Sequence, residues 1–113
     1  MAKNPALKSR KPDNPYLIIC DYRSAWVYRV LKFWQADGRK EYGRAFCAVA
    51  SPMTYGSDDL GDVYVADLRT QVRRGAAVFS DDLDPDQIAT LLGVTALDLP
   101  HVRPLADFEN PLA

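Results

Sequence analysis

The sequence predicts an α+β domain in which helices pack on one face of a small, mainly antiparallel sheet, with elements in the order ββα-ββα. Two β-rich runs follow one another near the start, helical spacing of apolar residues occurs twice further on, and turn residues separate these segments. The chain has 113 residues, of which 48% are hydrophobic and 26% charged. These values are typical of a chain that folds around one core.

Residues 1–15 are predicted to form a flexible basic arm, and residues 16–113 a single compact domain. The arm contains three of the eight prolines and four Lys or Arg residues. Such a composition buries too little apolar surface to offset the entropy lost on ordering. The sequence shows no signal peptide and no apolar run of membrane-spanning length, so we expect a cytoplasmic protein.

The first two structured segments, "YLIICDY" and "AWVYRVLKFW", predict a β-hairpin. Both are rich in β-branched and aromatic residues, which suit a pleated sheet. A helix from Ser24 to Gly38 is the alternative for the second segment, whose apolar residues also fit a helical spacing. The residues of that spacing are Trp26, Val30, Phe33 and Trp34.

After Asp37-Gly38, apolar residues recur at i, i+3, i+4 and i+7, which predicts an amphipathic helix that ends at Ser51-Pro52. The residues of this stripe are Tyr42, Ala45, Phe46 and Val49. The next segments predict a loop in "SPMTYGSDDLG", a third strand in "DVYVADL", a short helix in "RTQVRR" that ends at Gly75, and a fourth strand in "AAVF".

The last predicted helix begins after Asp84, with Pro85 at its first position and Gln87 completing a capping box. It runs to Leu92 and ends at Gly93. The remaining "PHVRPLADFENPLA" carries three prolines and is predicted to be a wrapped or frayed tail.

The stretch "DQIATLLGVTALDLP" resembles the first helix and turn of the helix-turn-helix family. The matching residues are Gln87, Ile88, Ala89, Leu91, Leu92, Gly93, Val94 and Thr95. The resemblance implies a following recognition helix that reads the major groove with basic or amide side chains. Here "TALDLP" allows about one turn before Pro100, and Asp98 is its only charged residue. The alternative is a capped amphipathic helix without a role in DNA binding, and it accounts for the same residues.

Candidate catalytic and metal sites are few. His101 is the only histidine, which excludes metal clusters built on several histidines, and its place between Pro100 and Pro104 predicts a surface position. Cys20 and Cys47 lie in apolar runs and are predicted to be buried, reduced thiols.

Alternate aspartates at 82, 84 and 86 suggest a calcium loop, but Gln87 stands where the turn glycine belongs and Gly93 where the bidentate glutamate belongs. Gly56 and Gly61 are not followed by the Gly-Lys-Ser/Thr of a phosphate loop. Asp58, Asp59 and Asp62 could serve a small hydrolase or transferase, the least favoured class, because no basic or histidine partner lies nearby in sequence. We therefore expect no cofactor, no metal and no enzymatic activity.

Charge is distributed unevenly along the chain. Residues 1–44 carry ten Lys or Arg against four Asp or Glu, whereas residues 45–113 carry four against eleven. The leading hypothesis is a small prokaryotic accessory protein whose acidic half docks on a basic surface of a nucleic-acid-handling protein, as an inhibitor of the anti-CRISPR or anti-restriction type would. Its contact residues would be Asp58, Asp59, Asp62, Asp81, Asp82, Asp84 and Asp86.

The alternative hypothesis is a DNA- or RNA-binding regulator that uses the N-terminal half, where cationic and aromatic residues are interleaved. Strand alternation predicts Trp26, Tyr28, Lys32 and Trp34 on one face and Arg29 on the other. The residues of this candidate site are Arg23, Trp26, Tyr28, Arg29, Lys32, Trp34, Arg39, Lys40 and Arg44.

Overall fold

The protein contains a five-stranded sheet in which neighbouring strands are antiparallel, in the order β4-β3-β2-β1-β5. The structure is a computed structural model, and it describes residues 16–35, 42–50 and 59–111. Its elements are β1 (Leu17–Asp21), β2 (Trp26–Gln35), β3 (Tyr42–Ala50), β4 (Asp59–Tyr64), α1 (Val65–Arg73), β5 (Ala77–Phe79), α2 (Pro85–Leu92) and the 3-10 helices Ala96–Asp98 and Leu105–Asp107. The predicted α+β class with a mainly antiparallel sheet is confirmed, and the predicted arm over residues 1–15 lies outside the described residues.

Strands β1 and β2 form the predicted hairpin, with Asp21 paired to Trp26 across its closed end. The Asp21 carboxylate accepts hydrogen bonds from the Arg23 backbone N–H at 3.0 Å and from the Ser24 hydroxyl at 2.6 Å. These bonds hold the loop in a turn, and Ala25 ends it in a left-handed conformation with φ 56°.

The predicted helix over residues 42–49 is wrong, because this segment is strand β3. Its apolar residues satisfy helical spacing, but Ala45 and Cys47 are buried while Arg44 and Phe46 lie on the other face, which is a period of two. Strand β3 pairs with β2 on one side and β4 on the other, so its backbone groups find partners in both neighbours. Among the described residues, the elements therefore follow one another as ββββαβα, and the predicted order ββα-ββα is not confirmed.

The third predicted strand extends too far, because the chain turns from β4 into α1 at Val65. Helix α1 buries Val65, Leu68 and Val72, a spacing that fits a helix and not a strand. The predicted short helix "RTQVRR" corresponds to the C-terminal part of α1, and the predicted strand "AAVF" contains β5.

Both helices pack on the same face of the sheet. Their apolar side chains form one core with residues of β1, β2, β3 and β5. The largest fully buried members are Leu17, Ile19, Val30, Val65, Leu68, Val72, Val78, Ile88 and Leu92. Removing these side chains from water is the main stabilising contribution of the helix layer.

Helix α2 has the predicted cap. The Gln87 backbone N–H donates to Asp84 Oδ1 at 2.9 Å, and the Asp84 N–H donates to Gln87 Oε1 at 3.0 Å. Gly93 ends the helix with φ 70°, and the Arg69 side chain of α1 donates to the Leu92 carbonyl at 2.7 Å. Helix α2 is therefore fixed at both ends.

The part of the chain that follows α2 shows no recognition helix. The described residues 94–111 contain only 3-10 helices of three residues each, too short to fill a major groove. The interpretation of 86–100 as a capped helix and turn is the one that the structure supports. Within residues 16–35, 42–50 and 59–111, no helix is long and apolar enough to cross a membrane.

Candidate functional site

The sheet face opposite the helices carries a patch of cationic and aromatic side chains on three strands. In one cross-strand row, Trp34 of β2 lies opposite Arg44 of β3, which lies opposite Tyr64 of β4. The next row contains Lys32, Phe46 and Asp62 in the same strand order. We call these six residues the β2–β4 patch.

A β-bulge at Leu31 determines which side chains reach this patch. The register between β2 and β3 shifts between Val30 and Lys32. The extra residue reverses the alternation, so that Val30 and Phe33 both face the helices while Lys32 and Trp34 face the opposite side. The predicted alternation is therefore wrong in grouping Trp26 and Tyr28 with Lys32 and Trp34.

The rings and cations of the β2–β4 patch contact one another. The Trp34 and Phe46 ring centroids are 6.3 Å apart with the rings nearly perpendicular at 83°. Lys32 Nζ lies 5.6 Å from the Trp34 ring, and Arg44 Cζ lies 5.1 Å from the Tyr64 ring. Exposed contacts of this kind are worth only about 0.5–1 kcal/mol, so a ligand can replace them.

The patch is open to solvent at its charged groups and at one ring. The Tyr64 side chain is 60% exposed. Lys32, Arg44 and Asp62 are exposed, and Trp34 is half-buried. Arg29 lies on the same face one row further along β2 and is half-buried. The patch thus presents stacking surfaces and positive charge together.

The other end of the same face is apolar and is covered by the C-terminal tail. Phe79 of β5 packs against Phe108 with ring centroids 5.4 Å apart, and Leu105 contacts the same cluster. The tail is anchored by backbone bonds from the Arg103 N–H to the Val78 carbonyl at 3.1 Å and from the Ser80 N–H to the Arg103 carbonyl at 2.9 Å. The predicted tail is therefore wrapped against the β5 edge.

The remaining predicted cationic and aromatic residues lie elsewhere. Trp26 and Tyr28 belong to the helix-side core, where their rings stack at 6.1 Å. Arg23 lies in the β1–β2 turn and donates to the Arg74 carbonyl at 3.0 Å. Arg39 and Lys40 lie outside the described residues.

Several of the acidic residues predicted to contact a partner accept hydrogen bonds from backbone N–H groups. Asp81 Oδ1 accepts from the Leu105 N–H at 3.0 Å, and Asp82 Oδ2 accepts from the Tyr16 N–H at 3.4 Å. Asp84 caps α2. These carboxylates therefore fix the segment between β5 and α2 to the tail, to the start of β1 and to the helix.

The acidic residues do not lie on one edge of the sheet. Asp62 is on β4, whereas Asp81 and Asp82 come just after β5, and β4 and β5 are the two opposite edges. Four strand spacings separate these edges, which is about 19 Å. Asp58 lies outside the described residues, and Asp59 begins β4.

The two cysteines are not part of the β2–β4 patch. Cys20 and Cys47 are free and buried, as predicted. Burial raises the pKa of Cys20 to about 11 and that of Cys47 to about 12, with smaller contributions from Asp21 and Asp62, so neither thiol forms a thiolate near neutral pH. In the described part of the chain, no group of three or more His, Cys, Asp or Glu residues could hold a metal ion.

Sequence reasoning missed Phe46 and Tyr64 as site residues. Phe46 lies on the apolar stripe of the predicted helix, and Tyr64 lies in the predicted strand "DVYVADL", to which no binding role is assigned. The available signal was the alternation of "GRAFCAVA", in which Arg44 and Phe46 share a face.

No family model, no curated protein sequence and no solved structure matches the chain.

Proposed function

We propose that the β2–β4 patch binds single-stranded nucleic acid, a narrower form of the alternative hypothesis drawn from the sequence and one that uses a partly different set of residues. The observation that carries the proposal is the row of Trp34, Arg44 and Tyr64, which places two aromatic rings on either side of a guanidinium. Unpaired bases stack on aromatic rings and on guanidinium planes, and each such contact is worth about 1–3 kcal/mol.

The charges of the patch and its surroundings fit a polyanion. Within the β2–β4 patch, the exposed Lys32 and Arg44 stand against the single carboxylate of Asp62, and Arg29 lies on the same face. Cations beside stacking rings neutralise phosphates while the bases contact the rings. The row spans two strand spacings, about 10 Å.

A single strand fits this surface better than a duplex. The rings of the patch lie on a sheet face, where unpaired bases can reach them. In a duplex the faces of the bases are occupied by their neighbours, so Trp34 and Tyr64 could not stack on them.

The test is a fluorescence-anisotropy titration of labelled single-stranded RNA and DNA oligonucleotides, with a duplex of the same sequence for comparison. Trp34→Ala and Tyr64→Ala should each weaken binding of the single strand by roughly 5- to 100-fold. Tyr22→Ala is the matched control, because Tyr22 is also an exposed tyrosine, 42% accessible, but lies in the β1–β2 turn.

Lys32→Ala should lower affinity for all sequences and reduce the slope of log affinity against log salt by about one unit. Equal effects of Tyr64→Ala and Tyr22→Ala, or no binding of single strands even at low salt, would show that the patch does not serve this function.

The acidic docking hypothesis stays a prediction, and the exposure of Asp81, Asp84 and Asp86 within one connection favours keeping it as the second candidate. Replacing Asp58, Asp59 and Asp86 by lysine leaves the backbone bonds of residues 81, 82 and 84 in place. If a basic nucleic-acid-handling protein is the partner, these replacements should abolish its capture, whereas Lys32→Glu should not. Retained capture would contradict this second candidate.

A further inference from the structure

Asp62 is the only carboxylate among the six residues of the β2–β4 patch. It is exposed on β4, opposite Phe46, and lies two residues before Tyr64 on the same strand face. The Cα atoms of residues two apart on a strand are about 7 Å from each other, which is comparable with the width of a base. A base stacked on Tyr64 can therefore bring one edge to the Asp62 carboxylate.

The second row of the patch carries opposite charges at its two ends. Lys32 stands at its β2 end and Asp62 at its β4 end, with Phe46 between them. The carboxylate repels phosphate, while Lys32 and the neighbouring Arg44 attract it. A strand bound here thus places its phosphates toward the cations and a base edge toward Asp62.

We infer that Asp62 selects guanine for the position stacked on Tyr64, an inference that rests on the proposed function. An ionised carboxylate only accepts hydrogen bonds, and its two oxygens can accept from two adjacent donors. Guanine offers two adjacent donors, N1–H and N2–H, on its Watson–Crick edge. Adenine and cytosine offer one amino group beside an acceptor, and the N3–H of uracil or thymine lies between two carbonyl oxygens. The carboxylate therefore matches guanine best.

The experiment uses the full chain and oligonucleotides of about eight residues, a length within the usual footprint of single-strand binders. All have the same uridine or thymidine background and differ only at the central position. The wild type should bind the guanine oligonucleotide about tenfold more tightly than the others, which is the discrimination expected of a bidentate contact. RNA and DNA versions are measured in parallel.

Asp62→Asn is the informative variant. The asparagine amide has one oxygen that accepts and one amino group that only donates. It can therefore accept from only one of the two guanine donors, and the preference for guanine should disappear. Because the variant also removes a negative charge, its affinity for the uridine or thymidine oligonucleotide should rise. Asp86→Asn removes the same charge from helix α2, which packs on the opposite face of the sheet, and should leave the base preference unchanged.

The outcomes separate the two proposals. Binding of all oligonucleotides with equal affinity, unchanged in preference by Asp62→Asn, overturns the role of Asp62 and leaves single-strand binding in place. Loss of the guanine preference in Asp86→Asn also overturns it. Absence of binding to any single strand overturns both proposals.

Discussion

The N-terminal cap of helix α2 can be tested with one substitution, Asp84→Ala. The change removes the acceptor for the Gln87 backbone N–H, a hydrogen bond of 2.9 Å. Only the other bond of the capping box then remains, from the backbone N–H of residue 84 to Gln87 Oε1. The cap is exposed, so water partly replaces the lost acceptor, and the expected loss is about 1 kcal/mol of unfolding free energy. Fraying cannot relieve this loss, because Ile88, one residue beyond Gln87, is fully buried.

The assay is urea denaturation followed by circular dichroism, together with a thermal melt in which the midpoint should fall by about 4 °C. Asp84→Ser keeps an acceptor and should lose only a few tenths of a kcal/mol. Asp86→Ala removes a charge from the same helical turn without removing the cap and should cost about 0.3–0.5 kcal/mol. Equal losses for Asp84→Ala and Asp86→Ala, or a serine variant as unstable as the alanine variant, would refute the reasoning.

Further predictions concern the β1–β2 turn, Cys47 and the C-terminal tail. Ala25→Gly should raise the unfolding free energy by about 0.5 kcal/mol, because relief of a left-handed alanine slightly exceeds the added chain entropy; a lower urea midpoint would contradict this. Ser24→Ala should raise the pKa of Asp21, since the Ser24 hydroxyl is the main group that lowers it. A lowered carboxyl pKa stabilises the fold above the ordinary pKa, and this contribution is lost as pH falls through the folded-state pKa, so the variant should be destabilised at neutral pH and match the wild type in strong acid. An unchanged Asp21 titration by NMR would reject this assignment. The Cys47 thiol, with its pKa raised to about 12, should react with a thiol reagent at mildly alkaline pH only after unfolding in urea, and rapid labelling of the native chain would show it to be accessible. Phe108→Ala should cost about 2 kcal/mol, because its half-buried ring covers the apolar end of the sheet, and a loss below 0.5 kcal/mol would show that the tail adds little.

Local signals account for the elements that were predicted correctly. The cap of α2, with Asp84, Pro85 and Gln87, depends on residues within one turn, and the β1–β2 hairpin depends on two runs separated by a short polar turn. Strand β3 was missed because its apolar residues satisfy both a period of 3.6 and a period of two. The choice between these periods depends on partners on both sides, and such partners are not visible within the segment.

The set of residues that forms the candidate site depends on pairings between residues that are far apart in the sequence. The bulge at Leu31 has no glycine or proline to mark it, yet it decides which face Lys32 and Trp34 occupy. The bond between the Asp81 carboxylate and the Leu105 N–H joins residues 24 apart, so the structural role of that acid could not be predicted from its neighbours. Charge counts along the sequence could not show that Asp62 lies on one edge strand while Asp81 and Asp82 follow the other.

On the side of the sheet that lies away from the helices, the β5 end and the β4 end have different physical roles. At the β5 end, Phe79 and Cys20 are fully buried beneath the tail, and the stability of the fold explains why these residues are apolar. At the β4 end, Tyr64 is 60% exposed and stands beside the exposed Arg44, so burial does not explain this aromatic residue. An exposed ring beside a cation contributes little to folding, but it provides surface and charge for a planar, negatively charged ligand. Folding alone therefore accounts for one end of this face, and the proposed binding of single-stranded nucleic acid gives a physical reason for the residues at the other.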